Sequence, residues 1–188
     1  MYLTHEDLSK YWRMGLTKTW LIADPHFGHA GVTKFLREDG SKLRPWDSVE
    51  EMDEALVKNW NSVVGDKDRV YLLGDVVINR KALPIISRLK GRKVLVKGNH
   101  DIFRLEDYLP YFDDIRAYVV KKAGDGRRVI MSHIPIHPDS VGRFGVNIHG
   151  HLNSNKINDS RYICVSVEHT NFTPVEFSQL MGTTFQSY

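Results

Sequence analysis

Five short polar clusters, each sitting at the end of an apolar run, constrain this 188-residue chain more than anything else in it. They read Asp24-Pro25-His26, Gly74-Asp75, Gly98-Asn99-His100-Asp101, Ser132-His133 and His149-Gly150-His151. A chain that runs repeatedly from strand to ligand to helix can bring all five clusters to one edge of a sheet. Carboxylates and imidazoles gathered there would form a two-metal hydrolytic site.

The runs between the clusters support that arrangement. Residues 19–23 predict an apolar strand ending in Asp24, and residues 30–36 a short helical stretch. Ser48 and Glu51 form a capping box ahead of a helix to Val63, with Val49, Met52, Leu56 and Trp60 on one face and Gly65 as its stop. Residues 69–73 predict a strand running into Gly74-Asp75. Residues 81–90 predict a helix with Pro84 in its first turn and Gly91 at its end. Residues 93–96 are a third strand leading into Gly98. A helix is also predicted over residues 4–12, with Thr4 as its cap.

Strand, helix, strand, helix, strand is the pattern of a largely parallel sheet with crossover helices. The second half reads differently. Residues 115–120 and 127–131 flank Gly124-Asp125-Gly126 and predict a hairpin. Residues 146–148 and 162–167 are further strands. Thr173-Pro174-Val175-Glu176 is a capping box that opens a last short helix. The second half is therefore expected to be a more antiparallel sheet packed against the first.

Each cluster has a chemical reading. Asp24 and His26 lie two apart, so on an extended chain a carboxylate and an imidazole reach one ion together. Asp75 follows a buried strand, where a carboxylate needs a partner, and its two oxygens can bridge two cations. Gly98 permits a tight turn, Asn99 offers an amide oxygen, and Asp101 is placed to orient and charge His100. A protonated His100 could then steady phosphoryl charge or protonate a leaving oxygen. His133 ends an apolar strand, and His149 and His151 share one face of another. His29 and His137 read as loop residues within reach of a substrate.

Composition narrows the class. One domain over residues 1–188 is expected from the length. No apolar run approaches the ~20 residues that span a bilayer. The first twenty residues are polar and unlike a signal peptide. Cys164 is the only cysteine, so no intrachain disulfide forms, and it reads as a core thiol. These features together predict a cytoplasmic setting. The net charge of +3 leans only weakly toward anionic partners, which counts against a dedicated nucleic-acid binder. Residues 90–97 and Arg127-Arg128 are the densest basic spots and read as solvated charges flanking strands.

The ordered series Asp24-x-His26, Gly74-Asp75, Gly98-Asn99-His100-Asp101, His133 and Gly150-His151 resembles the calcineurin-like metallophosphoesterases, from about Trp20 to His151. The text around it (His26-Phe27-Gly28-His29, Arg44-Pro45, Asn59-Trp60-Asn61) looks like the small prokaryotic and phage members. The resemblance implies an α/β fold, a four-layer αββα sandwich of two mixed sheets flanked by helices. It implies two divalent metal ions, with Mn2+ favoured and Fe, Zn or Ni as alternatives. By the family pattern Asp24 and His26 hold the first metal, Asp75 bridges, and Asn99, His133 and His151 hold the second. His100, oriented by Asp101, contacts the phosphate.

One position departs from that pattern. The family ends its last motif with Gly-His-x-His, but here the text is Gly150-His151-Leu152-Asn153. Asn153, a water or His149 would complete the first site. The expected activity is hydrolysis of a phosphomonoester or phosphodiester, with nucleotides and nucleic-acid ends among the candidate substrates. His29, Arg44, His137 and Arg143 are the candidate substrate contacts. A non-catalytic metal-binding module on the same fold, and a dimetal hydrolase of another bond, are the rival readings.

Overall fold

A computed structural model describes residues 17–183, and the helix expected over residues 4–12 lies outside them. The fold is built on two sheets. The first has five strands: β1 (Thr19–Ile22), β2 (Arg69–Leu72), β3 (Arg92–Val96), β4 (Asp114–Arg116) and β9 (Val175–Glu176), in the order β4-β3-β2-β1-β9. The second has four: β5 (Tyr118–Lys122), β6 (Arg128–Ser132), β7 (Val146–His149) and β8 (Tyr162–Cys164), in that order.

Strands β1 to β4 are parallel, as the alternation of strand and helix predicts. Helix α1 (Val49–Val63) begins where Ser48 Oγ accepts the amide of Glu51. It buries Met52, Leu56, Val57 and Trp60 against Ile22, Val70, Leu72 and Leu95 of the first sheet. The opposite face of that sheet carries Leu21, Tyr71, Val94 and Val96. These pack on Val129, Met131, Val146 and Ile148 of the second sheet. Alternate residues of each strand thus feed two separate cores. The segment leading into α3 (Pro138–Val141) lies against the outer face of the second sheet at β7 and β8. That segment is tied down where Tyr162 Oη donates to the Ile136 carbonyl and the Ile136 amide donates to Asn147.

Five expectations are corrected, the fifth being the strand expected over residues 162–167, which ends at Cys164. The second sheet is mixed: β5 and β6 form the predicted antiparallel hairpin, but β6–β7 and β7–β8 are parallel. The 133–145 connection, which contains α3, is long enough to be a crossover. The single strand expected over residues 115–120 breaks at Ala117, with β4 joining one sheet and β5 the other. A period of two runs on unchanged when a strand changes sheets, so the sequence pattern hides that break. Residues 81–90 wind as a 3-10 helix from Arg80 to Arg88, capped by Asn79; Pro84 has no N–H for the α-helical ladder. The last capping box does not start a helix. Val175 and Glu176 instead pair antiparallel with β1, and the last helix, α4, runs over Phe177–Thr183, one strand later. Between β3 and β4 lies the one-turn helix α2 (Leu105–Tyr108).

Residues 165–167 leave β8 and join Ala23 just past β1. The amide of Ala23 donates to Val165, and the amide of Val167 donates to Ala23. That suture ties the two sheets together directly beside Asp24.

Trp60 is fully buried, and its indole N–H donates to the Lys90 carbonyl at 2.9 Å. Trp60→Ala is expected to lower stability by about 3–5 kcal/mol. Trp60→Phe, which mainly strands that carbonyl, is expected to cost about 1–3 kcal/mol. Urea unfolding midpoints check the order.

Candidate metal centre

The polar clusters meet at the carboxyl edge of both sheets. The loop after β1 and the loop after β2 are zipped by backbone bonds, from the Asp24 amide to Gly74, the His26 amide to Asp75 and the Phe27 amide to Val76. Asp24, His26 and Asp75 all take left-handed backbone, with φ of 57°, 51° and 55°. That conformation strains non-glycine residues, and the paired loops hold it. Gly74 is itself left-handed, and a Cβ there would stand 2.6 Å from the Gly98 Cα, so the two loops touch backbone to backbone.

Two groups of donors result. Asp24, His26 and Asp75 lie close enough to hold one ion, and Asp75, His133 and His151 a second, with Asp75 common to both. The amide oxygen of Asn99 adds to the second group, 2.8 Å from His133 Nε2 and 2.9 Å from His151 Nδ1.

The electrostatics suit a cation. Asp24 has no solvent exposure. Its Oδ2 accepts bonds from the Ser166 hydroxyl at 2.6 Å and the His151 amide at 2.9 Å, while its Oδ1 has no partner. Burial, opposed by the Ser166 bond and helped by the charge of Asp75, lifts its carboxyl to about 8. His133 Nδ1 donates to the Leu73 carbonyl at 2.8 Å, so its Nε2 presents a lone pair. Burial first of all holds the His133 ring below its usual range, which keeps it unprotonated. That lone pair faces the Asn99 oxygen at 2.8 Å and Asp75 Oδ1 at 3.4 Å. Acceptors this close repel one another unless a positive ion stands between them. His26 is likewise held down to about 2, by burial and then by the nearby Arg44. Oxygen and imidazole donors of this kind suit Mn, Fe, Zn or Ni.

The other predicted residues fall in varied places. His100 is exposed, its amide donating to Asp75 Oδ1 and its ring 5.8 Å from that of His26. Asp101 does not orient that ring, contrary to expectation. Its carboxylate accepts the amides of Asp75, Val76 and Gly98, so it clamps two metal-site loops together. Arg44 is corrected too: it is fully buried and bound to Glu168 and to the carbonyls of Asp24 and Pro25, out of reach of any substrate.

His149 is buried and turned away from the clusters. Its Nδ1 donates to the Gly150 carbonyl and its ring lies 6.0 Å from Tyr162. Asn153 is half-buried in the turn after His151, in left-handed backbone. His29 is half-buried at the rim, 5.8 Å from the His26 ring. His137 caps α3 and faces Asp139, and Arg143 is exposed in the turn that follows. Ser166, Glu168 and the true role of Arg44 were missed, since their partners lie 124 to 142 residues away in the chain.

Two sheets joined face to face, with adjoining clusters of oxygen and nitrogen donors at one edge, define a protein equipped to hold a pair of cations. The family model for calcineurin-like phosphoesterases matches residues 17–180, and the chain belongs to that family, which is typically dimetal-dependent. It is 33% identical over 183 residues to an uncharacterized protein of Methanocaldococcus jannaschii, covering 89% of this chain and 92% of that one. It is 31% identical over 170 residues to the gene 66 protein of Mycobacterium phage L5, covering 74% and 79%. A crystal structure of a protein of unknown function from Aquifex aeolicus superposes with a TM-score of 0.67 at 25% identity, over 89% of this chain and 99% of that one.

Two outcomes are expected. In metal-free protein the folded Asp24 keeps its proton up to about pH 8, whereas the usual carboxyl value is 3.8. Its contribution to stability therefore declines as pH rises through that window. Asp24→Asn removes this component, and Mn2+ reverses it; thermal melts of both proteins from pH 4 to 9, with and without Mn2+, measure the difference. Ser166→Ala, which takes away the bond that aims Asp24, should weaken Mn2+ binding about 10- to 100-fold by calorimetry.

Proposed function

We propose that this chain is a metal-dependent phosphoesterase that hydrolyses phosphomonoesters or phosphodiesters with a pair of divalent cations, Mn2+ first among them. The observation that carries this reading is the facing of three acceptors, His133 Nε2 with Asn99 Oδ1 and Asp75 Oδ1, the two oxygens lying within 3.4 Å of that nitrogen. In this reading Asp24 and His26 hold the first ion, Asp75 bridges, and Asn99, His133 and His151 hold the second. Asn153 or a water would complete the first, since His149 bonds the Gly150 carbonyl and packs on Tyr162. When bound, the cations lower the pKa of a water and neutralise charge on the phosphoryl oxygens.

The protein's own part is positioning and proton delivery. Asp101 and the zipped loops fix Asp75. The Leu73 carbonyl fixes the tautomer of His133. Arg44 holds the carbonyls on either side of the Asp24–Pro25 bond. His100 stands exposed at the mouth, its backbone tied to Asp75, where an imidazole N–H can donate to the leaving oxygen. His29, His137 and Arg143 are the candidate contacts for the rest of the substrate, and nucleotides or nucleic-acid ends are the first classes to try. Among the described residues no helix is long and apolar enough to cross a membrane.

Asp75→Asn is expected to lose both Mn2+ and hydrolysis of p-nitrophenyl phosphate and bis-p-nitrophenyl phosphate. His100→Asn is expected to keep its metal and lose about 10²- to 10⁴-fold in kcat. Elemental analysis beside the two assays checks both. Turnover surviving Asp75→Asn, or a metal-loaded chain inert on phosphoesters and active on amides, would defeat the reading.

A further inference from the structure

The edge that carries the metal centre also carries exposed apolar side chains, which the binding of phosphate alone does not need. Phe35, directly after the 3-10 turn Ala30–Lys34, is 50% exposed, and Leu36 beside it is 63% exposed. Ile102 stands 75% exposed in the loop after β3, two residues past His100. Ile134 is 53% exposed and follows His133 directly. Apolar groups left in water at one edge from three separate loops mark a surface that receives something apolar.

One of these groups is joined to the metal donors through rings. The imidazoles of His26 and His29 meet edge to face with centroids 5.8 Å apart, and His29 meets Phe35 in the same way at 6.1 Å. Two ring contacts thus lead from a metal donor out to Phe35. Both outer rings sit on fixed backbone. The Gly28 amide donates to both oxygens of Asp53 on α1, at 3.2 and 3.0 Å, and the Gly28 carbonyl accepts from Asn79 Nδ2 at 2.9 Å. Gly28 is left-handed, and a Cβ there would stand 2.6 Å from that of Ala82, so the turn that carries His29 is packed as well as bonded. Phe35 opens a small hairpin. The Leu43 amide donates to the Phe35 carbonyl at 2.8 Å, the Arg37 amide donates to Ser41, and Arg37 Nη2 donates to the Leu43 carbonyl. An exposed aromatic ring on a backbone already fixed in this way loses little further freedom when a ligand packs on it.

We propose that His29 and Phe35 form a wall that takes a planar aromatic group carried by the phosphoester, so that aryl or nucleoside phosphoesters are preferred over alkyl ones. This rests on the phosphoesterase reading and names its substrate class. Aromatic rings pack with centroids about 4.5–7 Å apart. A planar group laid against His29 and Phe35 at that spacing lies beside the His26 donor, within reach of a phosphorus held at the metal centre. Planarity is what such a wall selects, since a flat ring meets another over its whole face or edge and a puckered one does not. Stacking of this kind also tolerates every base, because each has a π-face.

The test is calorimetric titration of the full chain, in Mn2+, with four phosphonates: methyl, cyclohexyl, phenyl and the 5′-phosphonate of thymidine. Their carbon–phosphorus bonds resist hydrolysis, so binding is read without turnover. The phenyl and thymidine ligands are expected to bind about tenfold more tightly than methylphosphonate. Cyclohexylphosphonate, matched to phenyl in size but not planar, should gain less. Phe35→Ala and Phe35→Leu should each cut the phenyl-to-methyl ratio to about twofold or less, and Phe35→Trp should keep it. Phe35 is half in solvent, so thermal melts should show all three variants folded. Thymidine binding more tightly than phenyl assigns the wall to nucleosides, and the reverse order assigns it to simple aryl esters. Equal affinity for phenyl and cyclohexyl, or a ratio unchanged in Phe35→Ala, would overturn the proposal and leave the hydrolytic reading standing. No binding of any of the four, beside no turnover of p-nitrophenyl phosphate or bis-p-nitrophenyl phosphate, would remove that reading and this one with it.

Discussion

The burial of the Asp24 carboxylate with one oxygen unpartnered is the constraint around which the rest is arranged. An ionised carboxylate away from water is tolerated only with strong compensation. Two donors reach its Oδ2 from the far half of the chain, Ser166 and the amide of His151. Ser166 could not do so unless residues 165–167 crossed from the second sheet to Ala23. Arg44 holds the carbonyls of Asp24 and Pro25, and it is anchored in turn by Glu168, two residues beyond Ser166. The same short segment therefore supplies the hydrogen bond to the carboxylate and the anchor for its backbone. What remains open on Asp24 is one oxygen, directed toward the neighbouring donors.

Backbone strain is concentrated at the same place. Asp24, His26, Asp75, His151 and Asn153 are five of the seven non-glycine residues with positive φ among the described residues. Each such residue costs on the order of 1–3 kcal/mol unless its surroundings fix it. Here the loops after β1 and β2 bond to each other, and Asp101 takes three amides from the loops after β2 and β3. A carboxylate spent on backbone amides in this way cannot also steer His100. The two duties compete for the same lone pairs, and the amides, being buried, are the more expensive to leave unmet.

Much of this was legible in the sequence. The ordered clusters, the apolar runs before them and the Ser48 cap are local signals, and the elements they predict are present with small shifts at the ends. What was not legible depends on partners far apart in the chain. Arg44 reads as a loop arginine because nothing nearby shows Glu168 closing on it. Tyr162 to Val167 reads as one strand because alternation cannot show that its last three residues change sheets. Residues 115–120 hide a break at Ala117 for the same reason. Thr173-Pro174 reads as a helix start on local chemistry, but the unpaired edge of β1 offers Val175 and Glu176 hydrogen bonds that a first helical turn lacks.

The error about the second sheet is the instructive one, because the site itself contains the information that corrects it. His133 follows β6 and His151 follows β7. In an antiparallel pair the carboxyl ends of neighbouring strands lie at opposite edges, a strand length apart, which is about 13–17 Å for strands of four or five residues. No single ion could then touch both imidazoles. Their rings in fact lie 5.1 Å apart, and β6 and β7 are parallel. A metal-ligand hypothesis spanning two strands is thus also a statement about strand direction. It outranks turn and alternation signals, which fix where strands begin and end but not which way their neighbours run.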